Sequence, residues 1–343
     1  MVDIAALPKA ELHLHLEGSV HPSVFLELSR KYQTGYDSYT EVEIGETVFQ
    51  YADFPDFLKT YKLICEHLRE PLDYLQILNW LSEYFVREKI WYAEIIYSPS
   101  IPWKLGVDAR EILTSLLARS QEIQAKQGTR ICWILDCVRQ YGSALAWQTA
   151  ELAYEFREQG VVALGLGGDE LSLEMGEYQE VFNWAKSHQL FAYVHAGEIG
   201  EPQQIWEAIN LLGANRIAHG IQAARDPDLM SYLRDHAIGL DICLTSNLKT
   251  GAWTPISGNP FGLLYQRGVP VTLNTDDPGL FDVSLTGELQ RAVELFDLNN
   301  EDVQHILLQG IHMSFLAYKE KTILMKRFQE EFSRASLSSD AVQ

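Results

Sequence analysis

Short apolar segments alternate with longer amphipathic ones along most of this chain, and this alternation constrains the fold more than any other feature. The short segments are typical of strands buried on both faces, as in a parallel sheet. Helices between successive strands indicate parallel pairing with helical crossovers. The strand-like segments number eight, at 10–18, 91–97, 130–138, 161–166, 190–195, 216–219, 238–244 and 269–275. We therefore predict an α/β fold, a (β/α)8 TIM barrel.

An open, doubly wound sheet is the alternative arrangement of the same elements. That fold usually carries a Gly-x-Gly-x-x-Gly turn opening a helix, and no such turn opens a helix in this sequence. No Pro-, Gly- or Ser-rich linker divides the chain, so we predict a single domain over 1–343. The helical segments at 53–89 read as a lid insertion after strand one, and extra helices follow Ser284. The polar residues 335–343 are predicted to form a disordered tail.

Composition excludes several classes of function. Apolar residues make up 47% of the chain, enough for a large core, and the net charge is −20. Nucleic-acid binding needs clustered cations, so the chain is not expected to bind DNA or RNA. No apolar run could span a membrane and the start does not read as a signal peptide, so we expect a cytoplasmic protein. The sequence leaves the oligomeric state open.

His13 and His15 lie in the first strand-like segment. Because successive strand side chains point to opposite faces, histidines separated by one residue project the same way. A lone histidine is more often a hydrogen-bonded core residue than a ligand. Two imidazoles side by side, however, make half of a metal site, and the rest of the chain must supply the other half.

In a barrel of this kind, active-site residues lie at the carboxyl ends of the strands. Strands four to eight end in Gly167-Gly168-Asp169-Glu170, His195-Ala196-Gly197-Glu198, Ala218-His219-Gly220, Thr245-Ser246-Asn247 and Asn274-Thr275-Asp276-Asp277. A zinc-type set of nitrogen and oxygen ligands can be drawn from these ends and the first strand: His13, His15, His195 and Asp276. Strand four lacks the lysine that commonly bridges two ions in such barrels, so we predict one zinc ion per subunit.

Three further titratable residues stand near the predicted ligands. Glu198, three residues after His195, is a candidate general acid, although it could be a solvated acid at a helix entry. His219 is a natural acid–base partner for a metal-bound water. Asp277 could orient that water, or could simply cap a helix. Gly168 permits close approach of a ligand to the backbone, or marks a tight turn.

These motifs together resemble the adenosine deaminase family of the amidohydrolase superfamily. The resemblance rests on blocks in the family order over nearly the whole chain: Pro8-Lys9-Ala10-Glu11-Leu12-His13-Leu14-His15-Leu16-Glu17-Gly18, Gly168-Asp169-Glu170, Val194-His195-Ala196-Gly197-Glu198, Arg216-Ile217-Ala218-His219-Gly220, Thr245-Ser246-Asn247 and Asn274-Thr275-Asp276-Asp277-Pro278. The His-x-His pair alone would not be specific, but the set is.

The resemblance implies zinc-dependent hydrolytic deamination of a 6-aminopurine nucleoside. Zinc would lower the pKa of a bound water and generate hydroxide, which adds to C6. Glu198 would protonate N1, His219 would act as base, and Asp277 would orient the hydroxide and contact the substrate. The Gly168 N–H would bind N3, and helices over Phe54–Leu68 would form an apolar lid that excludes water.

Glu17 departs from the family pattern and bears on the substrate. Adenosine deaminases proper usually carry Asp at this position, which meets the ribose 5′-hydroxyl. Relatives acting on free adenine or on 5′-modified nucleosides often carry Glu. Gly168-Asp169-Glu170 resembles the nucleoside branch, while Asn259-Pro260 replaces a more usual His-Pro. Adenosine is the first candidate, aminodeoxyfutalosine of menaquinone biosynthesis the second, and adenine the third.

Two other classes of protein share parts of this pattern. A mononuclear metal hydrolase of another bond, such as an amide or phosphoester, would use the same ligands. A non-catalytic binding protein on an inherited barrel predicts the loss of at least one site residue, and none is lost.

Overall fold

Eight parallel strands lie side by side in chain order in the computed structural model, which describes residues 3–254 and 260–340. A bridge between Leu14 and Asp276 brings the end of the eighth strand back to the first. The predicted barrel is confirmed, and the open sheet is wrong. The strands are β1 (Lys9–His15), β2 (Ile90–Tyr97), β3 (Arg130–Val138), β4 (Val161–Gly167), β5 (Phe191–Ala196), β6 (Arg216–His219), β7 (Gly239–Ile242) and β8 (Val271–Leu273).

Helices connect the strands and follow the last one. None of those in the described ranges is both long and apolar enough to cross a membrane. They are α1 (Pro22–Tyr32), α2 (Glu41–Glu43), α3 (Phe54–Cys65), α4 (Pro71–Glu88), α5 (Ser100–Lys104), α6 (Ala109–Gln127), α7 (Ser143–Glu155), α8 (Gln179–Ser187), α9 (Pro202–Leu212), α10 (Pro227–Asp235), α11 (Leu244–Lys249), α12 (Pro260–Gln266), α13 (Pro278–Phe281), α14 (Leu285–Phe296), α15 (Asn300–Met313) and α16 (Tyr318–Asp340).

The two helices within 53–89 have different positions. Asp53 caps α3 by accepting a hydrogen bond from the Asp56 N–H, and Pro55 fits the first turn, where no N–H partner is needed. α3 packs against the turn Glu17–Ser19 after β1 and lines the barrel mouth. α4 packs mainly against α6 and also contacts β2 and the same turn. Of these two helices, α3 contributes residues to the cavity lining and α4 does not, so α4 is the crossover helix between β1 and β2.

The barrel interior is filled by side chains and a buried ionic network. The apolar cluster inside it comprises Ile96, Ile134, Ala163, Tyr193, Ala218 and Phe315. Arg216 donates from Nε to Asp241 Oδ2 at 2.6 Å and from Nη2 to Glu94 Oε2 at 2.5 Å. All three charged groups are fully buried, and their pairing offsets the cost of removing them from water. This network lies in the barrel interior beneath the site.

Two segments differ from the sequence expectation. β7 ends at Ile242, and Thr245-Ser246-Asn247 lie in α11 rather than at a strand end, because the Thr245 N–H turns to the buried carboxylate of Glu288. At the other end of the chain, α16 continues to Asp340, past the predicted start of the tail at 335, since no Gly or Pro interrupts it. Asn259 and residues 341–343 lie outside the described residues.

Candidate active site

His13, His15 and Asp276 meet where β1 lies beside the segment after β8. Nε2 of His13 lies 2.9 Å, and Nε2 of His15 3.4 Å, from Asp276 Oδ1. The backbone fixes this meeting, because the His15 N–H donates to the Asp276 carbonyl and the Asp276 N–H to the His13 carbonyl. Asp276 has a φ of 66°, an uncommon value for a residue other than glycine. The first strand and the last are thus joined at the predicted ligands.

His195, at the end of β5, completes the predicted ligand set. Its Nε2 lies 3.2 Å from His15 Nε2, so the two ring nitrogens face each other at hydrogen-bond distance. Burial lowers the pKa of His195 to about 4 and the pKa values of His13 and His15 below their usual range. The three imidazoles are therefore neutral at physiological pH, as metal ligation requires.

The residues present fit a metal ion. The His13 Nε2 is buried and has no hydrogen-bond partner, although it points at the Asp276 carboxylate and the neighbouring imidazoles. Its other nitrogen, Nδ1, lies 2.8 Å from the Tyr193 hydroxyl, which donates to Asp241 Oδ2 at 2.9 Å. Such a second partner fixes the ring and leaves Nε2 for the metal. Three nitrogens and one carboxylate oxygen suit zinc.

Two side chains of α11 hold site residues in place, a role that the sequence did not reveal. The Ser246 hydroxyl donates to Asp276 Oδ2 at 2.7 Å. The side-chain amide of Asn247 lies 3.2 Å from His219 Nδ1. The motif Thr245-Ser246-Asn247 was visible in the sequence, but a strand end and a helix start present side chains differently.

Glu198 and His219 lie beside the ligand cluster, and the His219 ring centroid is 4.7 Å from that of His13. His219 Nε2 lies 3.7 Å from Glu198 Oε2 and 3.8 Å from Asp276 Oδ2. Burial, with the nearby carboxylates of Asp276 and Glu170, raises the pKa of Glu198 well above its usual range. Burial lowers the pKa of His219. The pair therefore combines a protonated carboxyl with a neutral imidazole, which is suitable for acid–base chemistry.

Glu170 organises the loop that carries Glu198. Its carboxylate accepts hydrogen bonds from the N–H groups of Glu198, Ile199 and Gly200, at 3.2, 2.9 and 3.0 Å, and also from Gly197. One buried acid thus satisfies four consecutive backbone donors. No role for Glu170 was predicted from the sequence. A signal was present, because Glu170 follows the end of β4, which pairs with β5, the strand that leads into this loop.

Asp277 is buried beside the turn that follows β1. A β-carbon on Gly18 would overlap the Asp277 carboxylate, so only glycine allows this close approach. Asp277 Oδ1 has no hydrogen-bond partner in the structure. Its pKa is raised by burial and by the neighbouring charge of Asp276. Asp277 lines the cavity, and its Oδ1 lies against Gly18.

The predicted substrate contacts Glu17 and Gly168 follow the ends of β1 and β4, and Glu17 lies outside the set of residues that line the cavity. Glu17 is fully buried; its Oε1 accepts from the Ser98 N–H at 3.1 Å and its Oε2 has no partner. Burial raises the pKa of Glu17 to about 7. Gly168, with a φ of 90°, lines the cavity and has no room for a side chain beside Gln140.

A cavity of about 480 Å³ opens above these residues. Its floor contains the predicted ligands His15, His195 and Asp276, and α3 covers one side with aromatic and aliphatic side chains. The volume and the apolar wall with a few polar groups are typical of a small-molecule site. The sulfur of Cys243 also lies near His219 and Asp276, and all four cysteines are buried and free.

The fold and the site together define a (β/α)8 barrel with a metal-type cluster at the carboxyl ends of its strands. Comparison with known proteins narrows this class. The family model "Adenosine deaminase" matches residues 8–331. The chain therefore belongs to the adenosine deaminase family of the amidohydrolase superfamily, and it is a deaminase, a hydrolase of carbon–nitrogen bonds.

Relatives with three different substrates are similarly close. The chain is 32% identical to aminodeoxyfutalosine deaminase of Streptomyces avermitilis, over 91% of this chain and 88% of that protein. It is 31% identical to adenosine deaminase of Klebsiella pneumoniae, over 95% and 99%. It is 30% identical to adenine deaminase of Crocosphaera subtropica, over 93% and 97%. Identity alone does not choose among these substrates.

Solved structures of other proteins have the same fold as this chain. N6-mAMP deaminase of Arabidopsis superposes with a TM-score of 0.85 at 26% identity, covering 95% of this chain and 99% of that one. A Burkholderia amidohydrolase with bound zinc superposes with a TM-score of 0.89 at 20% identity, covering 98% and 94%. The second likeness is one of fold alone.

Proposed function

We propose that this protein catalyses the zinc-dependent hydrolytic deamination of a 6-aminopurine nucleoside. The observation that carries the proposal is the convergence of seven side chains at one end of a cavity, where six of them line the floor and His13 is buried behind them. Four are the metal-type ligands His13, His15, His195 and Asp276, and three are the acid–base and orienting groups Glu198, His219 and Asp277.

One zinc ion would be held by the three imidazoles and by the Asp276 carboxylate. Zinc, when bound, makes water a nucleophile near neutral pH. Ser246 and Tyr193 would keep the ligands oriented through their hydrogen bonds to Asp276 and His13.

Glu198 would supply the proton for N1 of the purine. Attack at C6 moves an electron pair onto N1, and a protonated carboxyl beside that nitrogen neutralises it. The raised pKa of Glu198 keeps the proton on the carboxyl at neutral pH. Glu170 accepts hydrogen bonds from four backbone N–H groups of the loop, and it thereby holds Glu198 in position.

His219 would take up a proton at Nε2 as water adds to C6 and would give it to the amino group, which departs as ammonia, while the proton of the new C6 hydroxyl returns to Glu198. This role requires the ring hydrogen on Nδ1, so the Asn247 side-chain amide, 3.2 Å from Nδ1, would present its oxygen as the acceptor, and Nε2 faces Glu198 and Asp276. Asp277 would orient the attacking water and contact the base, and the Gly168 N–H would bind N3. α3 would exclude bulk water from the closed cavity.

Adenosine is the first candidate substrate, and a 5′-modified nucleoside such as aminodeoxyfutalosine is the second. The second is favoured by Glu17, a buried acid with one unpartnered oxygen at the position that meets the 5′ carbon in relatives. Free adenine is third, because it has no sugar to satisfy that oxygen.

The test is ammonia release by the zinc-loaded protein from adenosine, aminodeoxyfutalosine and adenine, measured side by side. Release from at least one of them supports the proposal, and the ratio of kcat/KM values identifies the substrate. No release from any of the three, with zinc bound, would contradict it and would favour hydrolysis of another bond, such as an amide or phosphoester.

A further inference from the structure

Three exposed lysines line the cavity, and their exposure to solvent assigns them to its mouth. Lys59 and Lys62 project from α3, and Lys104 ends α5. The carboxylates that line the same cavity are Asp136, Glu198, Asp276 and Asp277, and all of them are buried. The cavity thus runs from acidic side chains at the floor to ammonium groups at the mouth, in a chain whose net charge is −20.

Of the three mouth lysines, Lys104 is the one whose positive charge has no carboxylate partner among the described residues. Its ammonium forms no ion pair with any of the described residues, and it lies 4.3 Å from the ring centroid of Tyr141, which also lines the cavity. Lys59 and Lys62 contact acids of their own helix region, Asp56 at 3.3 Å and Glu66 at 3.9 Å. Exposed pairs of this kind are weak, so a bound anion can compete for these lysines.

The orientation of the purine at the cavity floor determines which part of a substrate reaches the mouth. If C6 of the purine lies at the metal ligands, N9 and its sugar lie on the far side of the ring system. The sugar then points away from the floor, and the wall in that direction is apolar, with Leu58, Ile101 and Tyr141. A substituent on the 5′ carbon would run along this wall toward the lysines.

We infer that the mouth is an anion-binding subsite, and that it ranks 6-aminopurine nucleosides with an acidic group on the 5′ side ahead of adenosine, the first candidate from the sequence. This inference rests on the proposed function and specifies its substrate class. A phosphate and a carboxylate share the required chemistry, since each is an anion that accepts hydrogen bonds from lysine.

The test compares kcat/KM for four nucleosides on the zinc-loaded protein. Adenosine has no 5′ extension, 5′-methylthioadenosine has a neutral one, adenosine 5′-monophosphate carries a phosphate, and aminodeoxyfutalosine carries a carboxylate. We expect at least one acidic substrate to exceed 5′-methylthioadenosine, and its advantage to shrink as salt is added, because screening weakens exposed charge pairs.

Variants assign the effect to the subsite. Lys104→Gln is expected to lower kcat/KM for the preferred acidic substrate about fivefold more than for 5′-methylthioadenosine. Lys126→Gln, an equal change of charge at an exposed position on α6, is the matched control and should lower neither. The acidic substrate whose kcat/KM responds to Lys104→Gln identifies the phosphate or the carboxylate as the bound group.

Two results would overturn the inference alone. One is that both acidic substrates react no better than 5′-methylthioadenosine while adenosine is deaminated. The other is that Lys104→Gln changes acidic and neutral substrates equally. If none of the four nucleosides releases ammonia, the proposed function fails, and this inference fails with it.

Discussion

Glu198 occupies a position where burial and neighbouring charge act in the same direction. Both its removal from water and the carboxylates of Asp276 and Glu170 raise its pKa, so it retains a proton at neutral pH. An ordinary surface glutamate would be ionised and could not serve as the acid. The role proposed for Glu198 is therefore a property of its surroundings as well as of its place in the sequence.

Glu198→Gln keeps the size of this side chain but removes the transferable proton. We expect kcat to fall by about 10²- to 10⁴-fold, while the zinc content stays that of the unaltered protein, since Glu198 is not a predicted ligand. Ammonia release and metal analysis of the same sample measure the two quantities. Full turnover with zinc bound would remove Glu198 from the role of acid.

Glu17→Asp tests the contact with the 5′ side of the substrate. The shorter side chain draws the carboxylate back to a place where it can accept a hydrogen bond from the 5′-hydroxyl of adenosine, a donor that 5′-methylthioadenosine lacks. Unmodified adenosine should gain in kcat/KM relative to 5′-methylthioadenosine. A ratio equal to that of the unaltered protein would show that Glu17 does not face that carbon.

At the scale of elements, the turn Glu17–Ser19 follows β1 in the chain and packs against the segment that follows β8. Gly18 allows the Asp277 carboxylate to lie against the turn, and α3 packs on its outer side. A change in this turn therefore acts on the orienting acid and on the cover of the cavity together.

Gly18→Ala is expected to displace Asp277 and to lower kcat/KM about 100-fold, the effect of a misplacement of about 1 Å in an active site. Circular dichroism should show an intact fold. Gly45→Ala is the matched control, because a β-carbon there meets no described atom within 4 Å. An active Gly18→Ala protein would mean that the position of Asp277 is unimportant.

Strand order explains why much of the site could be predicted. Parallel strands end at the same face of a barrel. The polar residues at or just after the ends of β1, β5, β6 and β8 were therefore expected to meet there. The sequence places Glu170 after β4 and beside the end of β5, but the N–H groups that it binds depend on how the loop after β5 turns. The role of Ser246 depends in the same way on how α11 turns after β7. The different positions of α3 and α4 likewise follow from packing, since both have similar apolar periodicity.

At the scale of the whole molecule, the predicted metal ligands come from distant parts of the chain. His13 and His15 belong to the first strand, His195 to the fifth, and Asp276 follows the eighth. A bound ion would therefore link the beginning, middle and end of the barrel, and its binding energy would add to the free energy of unfolding.

Removal of the metal should lower both activity and thermal stability. At free zinc about 1,000-fold above its Kd, binding adds about 4 kcal/mol to the free energy of unfolding. We expect Tm to fall by several degrees in excess chelator and to recover with zinc. His13→Ala should have a Tm that responds little to zinc, whereas an equal response would place the ion elsewhere.

The central claim is hydrolysis at C6, and the most direct measurement uses water labelled with heavy oxygen. The zinc-loaded protein is incubated with the nucleoside that it turns over fastest, and the products are examined by mass spectrometry together with an ammonia assay. We predict a 6-oxopurine nucleoside with one heavy oxygen at C6 and one equivalent of ammonia. A product without the label, or cleavage of another bond with the amino group retained, would contradict the account.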